Sequence, residues 1–302
     1  MKTAIKGLTT LATAFAIGCN LYFPSESFAV EQDKQKRVAF IFVSFRDDDS
    51  ADPIDKNLSW RSVGKTYQAM RDLGIQKENF IILYNKGKPN KEDNDIPLKA
   101  ELDSLPILEG TYDELCDAFR KKTRNLTSLD EVILTTLSHG TNEGILYPDF
   151  GDAISRNDLN RILNRTSAKT VAFYSACHSG SLLEKAYAKN AVQVATTDID
   201  HMSWSDRNYC DNADFFEAFT KPSADLDKNG KVSFEEAAAY SKNKWMNYRK
   251  TFLDNYLLND YIWSPMELIS YPNKQALLNE ISCDPIVKRG KNISNEWTLE
   301  KK

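Results

Sequence analysis

The chain is 302 residues long, with 39 basic and 43 acidic side chains, a net charge of -4, 41% apolar residues and 27% charged residues. This composition suits a folded globular protein and excludes a largely disordered one, while the acidic balance excludes a dedicated nucleic-acid binder. The length allows one large α/β domain or two small ones, and past the N-terminus no apolar run is long enough to predict a transmembrane helix.

Lys2 and Lys6, the uncharged apolar stretch Gly7 to Gly18, and Ser27-Phe28-Ala29 follow the order of a secretory signal. Residues 1–29 are therefore read as a signal peptide, with the mature, exported chain starting near Val30. A second reading competes, because Ala16-Ile17-Gly18-Cys19 is similar to a bacterial lipobox, in which Cys19 would carry a lipid anchor. Beyond the signal stand Cys116, Cys177, Cys210 and Cys283, too few for a disulfide scaffold and without a CxxC pair for structural zinc.

Strand and helix patterns then alternate. Arg37 to Phe45 reads as a buried strand, Trp60 to Leu73 as a helix stopped by Gly74, and Asn79 to Tyr84 as a strand. Lys86 to Ser104, with Pro89, Pro97, Asn90 and Asn94, reads as a long exposed loop. A helix is predicted over Thr111 to Arg124, a strand over Glu131 to Leu137, and a helix over Ser155 to Leu163 with Ser155 as N-cap. Thr170 to Ser175 and Ala191 to Thr196 read as strands, with a helix from Gly180 to Lys189 between them. This alternation predicts an α/β three-layer sandwich, a mainly parallel sheet with helices on both faces. Residues 30–285 form its domain, and 286–302 read as a loose polar tail.

The chemistry falls at two strand ends, where ligands bind in such sheets. One strand runs into Ser138-His139-Gly140, the next into Ala176-Cys177-His178-Ser179-Gly180-Ser181. A Cys thiolate is a nucleophile, and a neighbouring imidazole can take its proton and return it to a leaving amine. The backbone N–H groups of Gly140 and Cys177 can hold a developing oxyanion. A calcium-type loop is independent of this pair. Asp225, Asp227, Asn229, Lys231 (through its carbonyl), Ser233 and Glu236 fall at EF-hand ligand positions, with Gly230 at the turn, which predicts a structural Ca2+. The helix leaving it is read over Phe234 to Arg249, and a short entering helix over Ala213 to Thr220.

Leu137-Ser138-His139-Gly140 with Gly144-Ile145-Leu146 resembles the His motif of caspase-like cysteine peptidases. Phe173 to Ser181 resembles the Cys motif of the legumain family within that caspase, legumain and gingipain group, of a bacterial secreted type. His139 precedes Cys177 by 38 residues, the family's order. The resemblance implies a caspase-like fold and a cysteine endopeptidase that cuts peptide or protein substrates, with His139 as base and Cys177 as nucleophile. It also implies an Arg after the first strand that binds the P1 side chain. Arg61 is the nearest candidate and Arg46 the runner-up, and either points to P1 Asn or Asp. Asp198 is a candidate to complete that pocket, and Ser203 and Trp204 to line the backbone groove. The sequence departs from legumains after Thr196, where they carry a Ser-rich aromatic loop. Two alternatives remain: a catalytically silent, calcium-braced surface binding protein, and an α/β-hydrolase-like esterase using Cys177 and His201 in nucleophile, acid, base order.

Overall fold

The computed structural model describes residues 35–44, 58–87, 89, 96–148, 151–185, 188–205, 209–253 and 274–301. The expected signal with Cys19, and Arg46, lie outside them. The first apolar run becomes β1 (Arg37–Ser44), buried at every position. It is flanked in parallel by β2 (Phe80–Tyr84) and β4 (Glu131–Thr141). With β3 (Ile107–Leu108), β7 (Lys169–Ser175), β8 (Ala191–Ala195) and β9 (Ile286–Arg289), the order across the sheet is β3-β2-β1-β4-β7-β8-β9. All these pairs are parallel except β8 with β9.

Continuous apolar strands need cover on both faces. Odd-numbered β1 residues Ala39, Ile41 and Val43 pack with α1 (Leu58–Asp72), α6 (Asp211–Ala218) and α7 (Phe234–Tyr248) through Trp60, Phe215 and Phe234. Even-numbered Val38, Phe40 and Phe42 pack with α3 (Tyr112–Thr123), α4 (Arg156–Leu163) and α5 (Gly180–Leu183) through Phe119, Ile162 and Leu182. This is the predicted three-layer α/β sandwich. Local signals set the helix starts: Thr111 accepts from the Glu114 N–H, and Ser155 forms a capping box with Asp158.

Four expectations are corrected. The loop expected over Lys86 to Ser104 contains α2 (Lys99–Asp103), because Leu102 is fully buried and Arg71 of α1 holds Glu101 at 2.7 Å. The helix expected from Gly180 to Lys189 ends at Leu183, whose carbonyl accepts from Lys288 Nζ at 2.7 Å; Lys185 then turns left-handed. The strand expected to stop at Leu137 continues to Thr141, because β5 (Ile145–Tyr147) pairs with it and β6 (Ile154–Ser155) pairs with β5. Finally, the segment read as a loose tail supplies β9 and buries Ile293, Trp297 and Leu299. Its Trp297 indole donates to Glu131 at 3.2 Å, and Arg37, paired with Glu131, donates to the Leu73 and Glu300 carbonyls at 3.0 Å each. Among the described residues no helix is long and apolar enough to cross a membrane.

Candidate active site

β4 and β7 are neighbours, and their register pairs Leu137 with Ser175. Two residues further along lie His139, still within β4, and Cys177, in the turn that follows β7, both at the C-terminal edge of the sheet. Strand alternation gives His139 the face of Leu137, the face covered by α1 and α6. His139 is exposed and Cys177 half-buried. The two motifs also touch through backbone. A Cβ built on Gly140 would sit 2.3 Å from the Cys177 carbonyl oxygen and 2.9 Å from the Ala176 Cβ, so only glycine allows this approach. Ser181 Oγ lies 2.7 Å from both the Thr141 and the His178 carbonyls and ties the motifs from the other side.

The Cys177 loop rests on the segment after β8. His178 takes a left-handed φ of 54°, its N–H donates to the His201 carbonyl at 2.9 Å, and its ring Nδ1 meets the Ile199 carbonyl at 2.9 Å. The strained backbone thus falls on His178 rather than on Cys177, and the helix that follows has four residues. A nucleophile elbow wants the strain at the nucleophile itself.

The Cys177 thiol lies 3.9 Å from the Ser203 carbonyl, and burial pushes its pKa up, with a smaller push from Asp211. Sequence reasoning missed Asp211, because it lies two residues ahead of the helix read from Ala213 and belongs to no motif. In the structure Asp211 is fully buried and gathers the site. Its carboxylate accepts Ser175 Oγ at 2.8 and 2.9 Å, the Thr196 hydroxyl, Ser205 Oγ at 3.3 Å and the Asn212 N–H at 2.8 Å. It therefore joins the ends of β7 and β8 to the 203–205 segment. Burial raises its pKa despite those donors.

Arg61 lies in the first turn of α1, which packs on α6. Beside it the Cys210 thiol reaches the Ser62 carbonyl at 3.9 Å and Thr66 Oγ1 at 3.7 Å. Arg61 and Asp211 thus flank the same helix junction, one residue from that contact on either side. Asp198 is engaged locally. Its Oδ1 takes His201 Nδ1 at 2.6 Å and the N–H groups of Asp200 and His201 at 2.9 Å each. Partial burial would raise Asp198, but the His201 ring and those N–H donors hold it below the usual carboxylate range. Ser203 and Trp204 follow Met202, whose backbone pairs with residues 280–282. Trp204 packs with Tyr209, Trp245, Leu278 and Ile281.

The calcium-type loop lies ahead of α7. One carboxylate oxygen each from Asp225, Asp227 and Glu236 come within 4.8 Å of one another. Glu236 Oε1 takes the Leu226 and Asp227 N–H groups at 2.7 and 3.1 Å, while its Oε2 and Ser233 form the capping box of α7. Asn229 and Gly230 donate their N–H groups to Asp225 at 3.1 and 2.9 Å, and Lys231 Nζ pairs with Glu300 at 2.9 Å. Three carboxylates with an amide and a hydroxyl nearby form an oxygen set that fits a hard divalent cation. The chain enters the loop through a short 3-10 turn, Pro222–Ala224, after α6 has ended.

A family model described as the Peptidase C13 family matches residues 99–273, which include both motifs and the calcium-type loop. No curated protein matches the chain.

Proposed function

The chain belongs to the Peptidase C13 family, the legumain family of cysteine endopeptidases with a caspase-like fold, and on that premise we propose that Cys177 and His139 are its catalytic dyad. The observation that supports this reading is the β4–β7 register, whose last pair, Leu137 with Ser175, stands two residues before His139 and Cys177. His139 takes the proton of the Cys177 thiol as the sulfur adds to the scissile carbonyl carbon. The backbone N–H groups of Gly140 and Cys177 receive the oxyanion, favoured by the close approach of their backbones. Collapse expels the amine, which takes the proton from His139. Water, giving its proton to His139, then cleaves the thioester and restores the thiol.

Arg61 supplies the fork for a P1 Asn or Asp side chain, and Ser203 and Trp204 line the backbone groove. The reading also places the enzyme outside the cytoplasm, because residues 1–29 carry an export pattern, with Cys19 as the alternative lipid anchor. Asp225, Asp227, Asn229, Lys231, Ser233 and Glu236 would hold one Ca2+, which would neutralise three carboxylates and brace the start of α7.

The test is peptide cleavage by Cys177→Ala, His139→Ala and His201→Ala. The first two lose several orders of magnitude while staying folded. The His201–Asp198 pair favours one second reading, with His201 as the base. Full activity in His139→Ala with loss in His201→Ala would establish it. A P1 profile unchanged by Arg61→Ala would remove Arg61 from the pocket.

A further inference from the structure

The segment after the matched residues 99–273 contributes a thiol behind the substrate groove. Cys283 is fully buried. Its Sγ receives the Trp204 N–H at 3.3 Å and lies 3.5 Å from the Trp204 carbonyl, to which the S–H donates. Two residues earlier the Met202 N–H donates to the Glu280 carbonyl at 2.7 Å, and the Ser282 N–H donates to the Met202 carbonyl at 2.8 Å. Residues 202 and 204 therefore turn their backbone groups toward 280–283. In an extended chain the residues between turn theirs the opposite way. The Ser203 carbonyl does so, facing the Cys177 thiol at 3.9 Å. A trans peptide points its C=O and N–H in opposite directions. The Ser203–Trp204 peptide is thus held at both ends, with Cys177 at its oxygen and Cys283 at its nitrogen.

We propose that Cys283 is a positioning residue for peptide binding. It clamps Trp204 from behind so that the Ser203–Ser205 backbone keeps one orientation toward an extended substrate backbone. This rests on the peptidase reading above. A substrate reaching several residues beyond P1 lies along that segment, and main-chain hydrogen bonds supply the affinity. Without the thiol the Ser203–Trp204 peptide is free to rotate, and a substrate that contacts only the nucleophile and the P1 pocket is indifferent to it.

The experiment compares full-length wild type, Cys283→Ala and Cys283→Ser by two readouts. One is hydrogen exchange at the Trp204 amide. The other is steady-state cleavage of amides carrying one residue or four residues before the scissile bond. In Cys283→Ala the Trp204 amide exchanges about tenfold faster and KM for the four-residue substrate rises about tenfold, with kcat changed less than about threefold. KM for the one-residue substrate stays as in wild type. Cys283→Ser, whose hydroxyl both donates and accepts, recovers most of both effects. Unchanged exchange, parallel losses on the two substrates, or a serine variant no better than alanine would overturn the clamp. If wild type cleaves neither substrate, the peptidase reading has failed, and the exchange result alone decides the clamp.

Discussion

Replacing Gly140 with Ala adds one methyl group where the two motifs touch. Its carbon would lie 2.3 Å from the Cys177 carbonyl oxygen. Relaxed carbon–oxygen contacts sit near about 3.3 Å. The Cys177 backbone and the end of β4 must therefore separate by about 1 Å. The Gly140 N–H survives the change, so any loss comes from displacement. A misplacement of about 1 Å at reacting groups costs on the order of a hundredfold in rate. The assay is kcat/KM on a peptide amide, with a melting curve to show the fold. Overpacking of this kind destabilises by about 1–3 kcal/mol, so the protein stays folded at assay temperature. Gly74→Ala is the control. Gly74 has a φ of 88° at the end of α1, so an alanine there is strained by about 1–2 kcal/mol. It lies at the other edge of the sheet, beside the Leu73 carbonyl that Arg37 holds. A folded Gly140→Ala enzyme with kcat/KM near wild type would show that this contact does not set the site's geometry, as would an equal loss of activity in Gly74→Ala.

Trp297→Ala removes a buried indole tilted against Phe234, with ring centroids 5.2 Å apart, and the N–H that Glu131 accepts. The expected loss is about 3–5 kcal/mol, or a melting temperature lower by roughly 6–20 °C. A change under about 1 kcal/mol would mean that the C-terminal segment is loose after all. Burial raises the Cys177 pKa, so the thiolate fraction at neutral pH is small. Alkylation of Cys177 by a small haloacetamide is expected to keep accelerating as pH rises past about 8.5, the ordinary thiol value. A plateau below that pH would reverse the sign. For calcium, a single loop of this charge binds at roughly 10⁻⁵ to 10⁻³ M. At tenfold excess over the dissociation constant it stabilises by about 1.4 kcal/mol, an upward shift of roughly 3–6 °C in melting temperature. Asp225→Ala and Glu236→Gln abolish that shift. Identical curves with calcium and chelator, starting from metal-free protein, would show the loop to be only an acidic turn.

The five central strands β1, β2, β4, β7 and β8 and both motifs were legible because each signal is local. β1 and β7 are short apolar runs that end in polar residues, and Ser155 announces its own capping box. What stayed hidden depends on contacts distant in sequence. Leu102 and Ile96 look like isolated apolar residues in a polar loop until α1 covers them. Trp297 is one aromatic in a charged segment, and its indole finds Glu131, paired with Arg37 at the starts of β4 and β1, only once the chain is folded. At the site, His139 and Cys177 stand out by type and by neighbouring glycines. Asp211 does not, because its role comes from Ser175, Thr196 and Ser205 converging on one buried carboxylate. Cys283 was just as silent, being 79 residues from the Trp204 backbone it holds.

In the proposed reaction Cys177, activated by His139, forms the covalent intermediate. Its most direct test is labelling with an irreversible peptidyl ketone carrying Asn at P1, followed by mapping of the adduct among Cys116, Cys177, Cys210 and Cys283. One adduct per chain is expected, on Cys177, rising in step with loss of activity and slowed strongly in His139→Ala. Full inhibition without modification of Cys177, or an adduct that forms equally fast in His139→Ala, would contradict it.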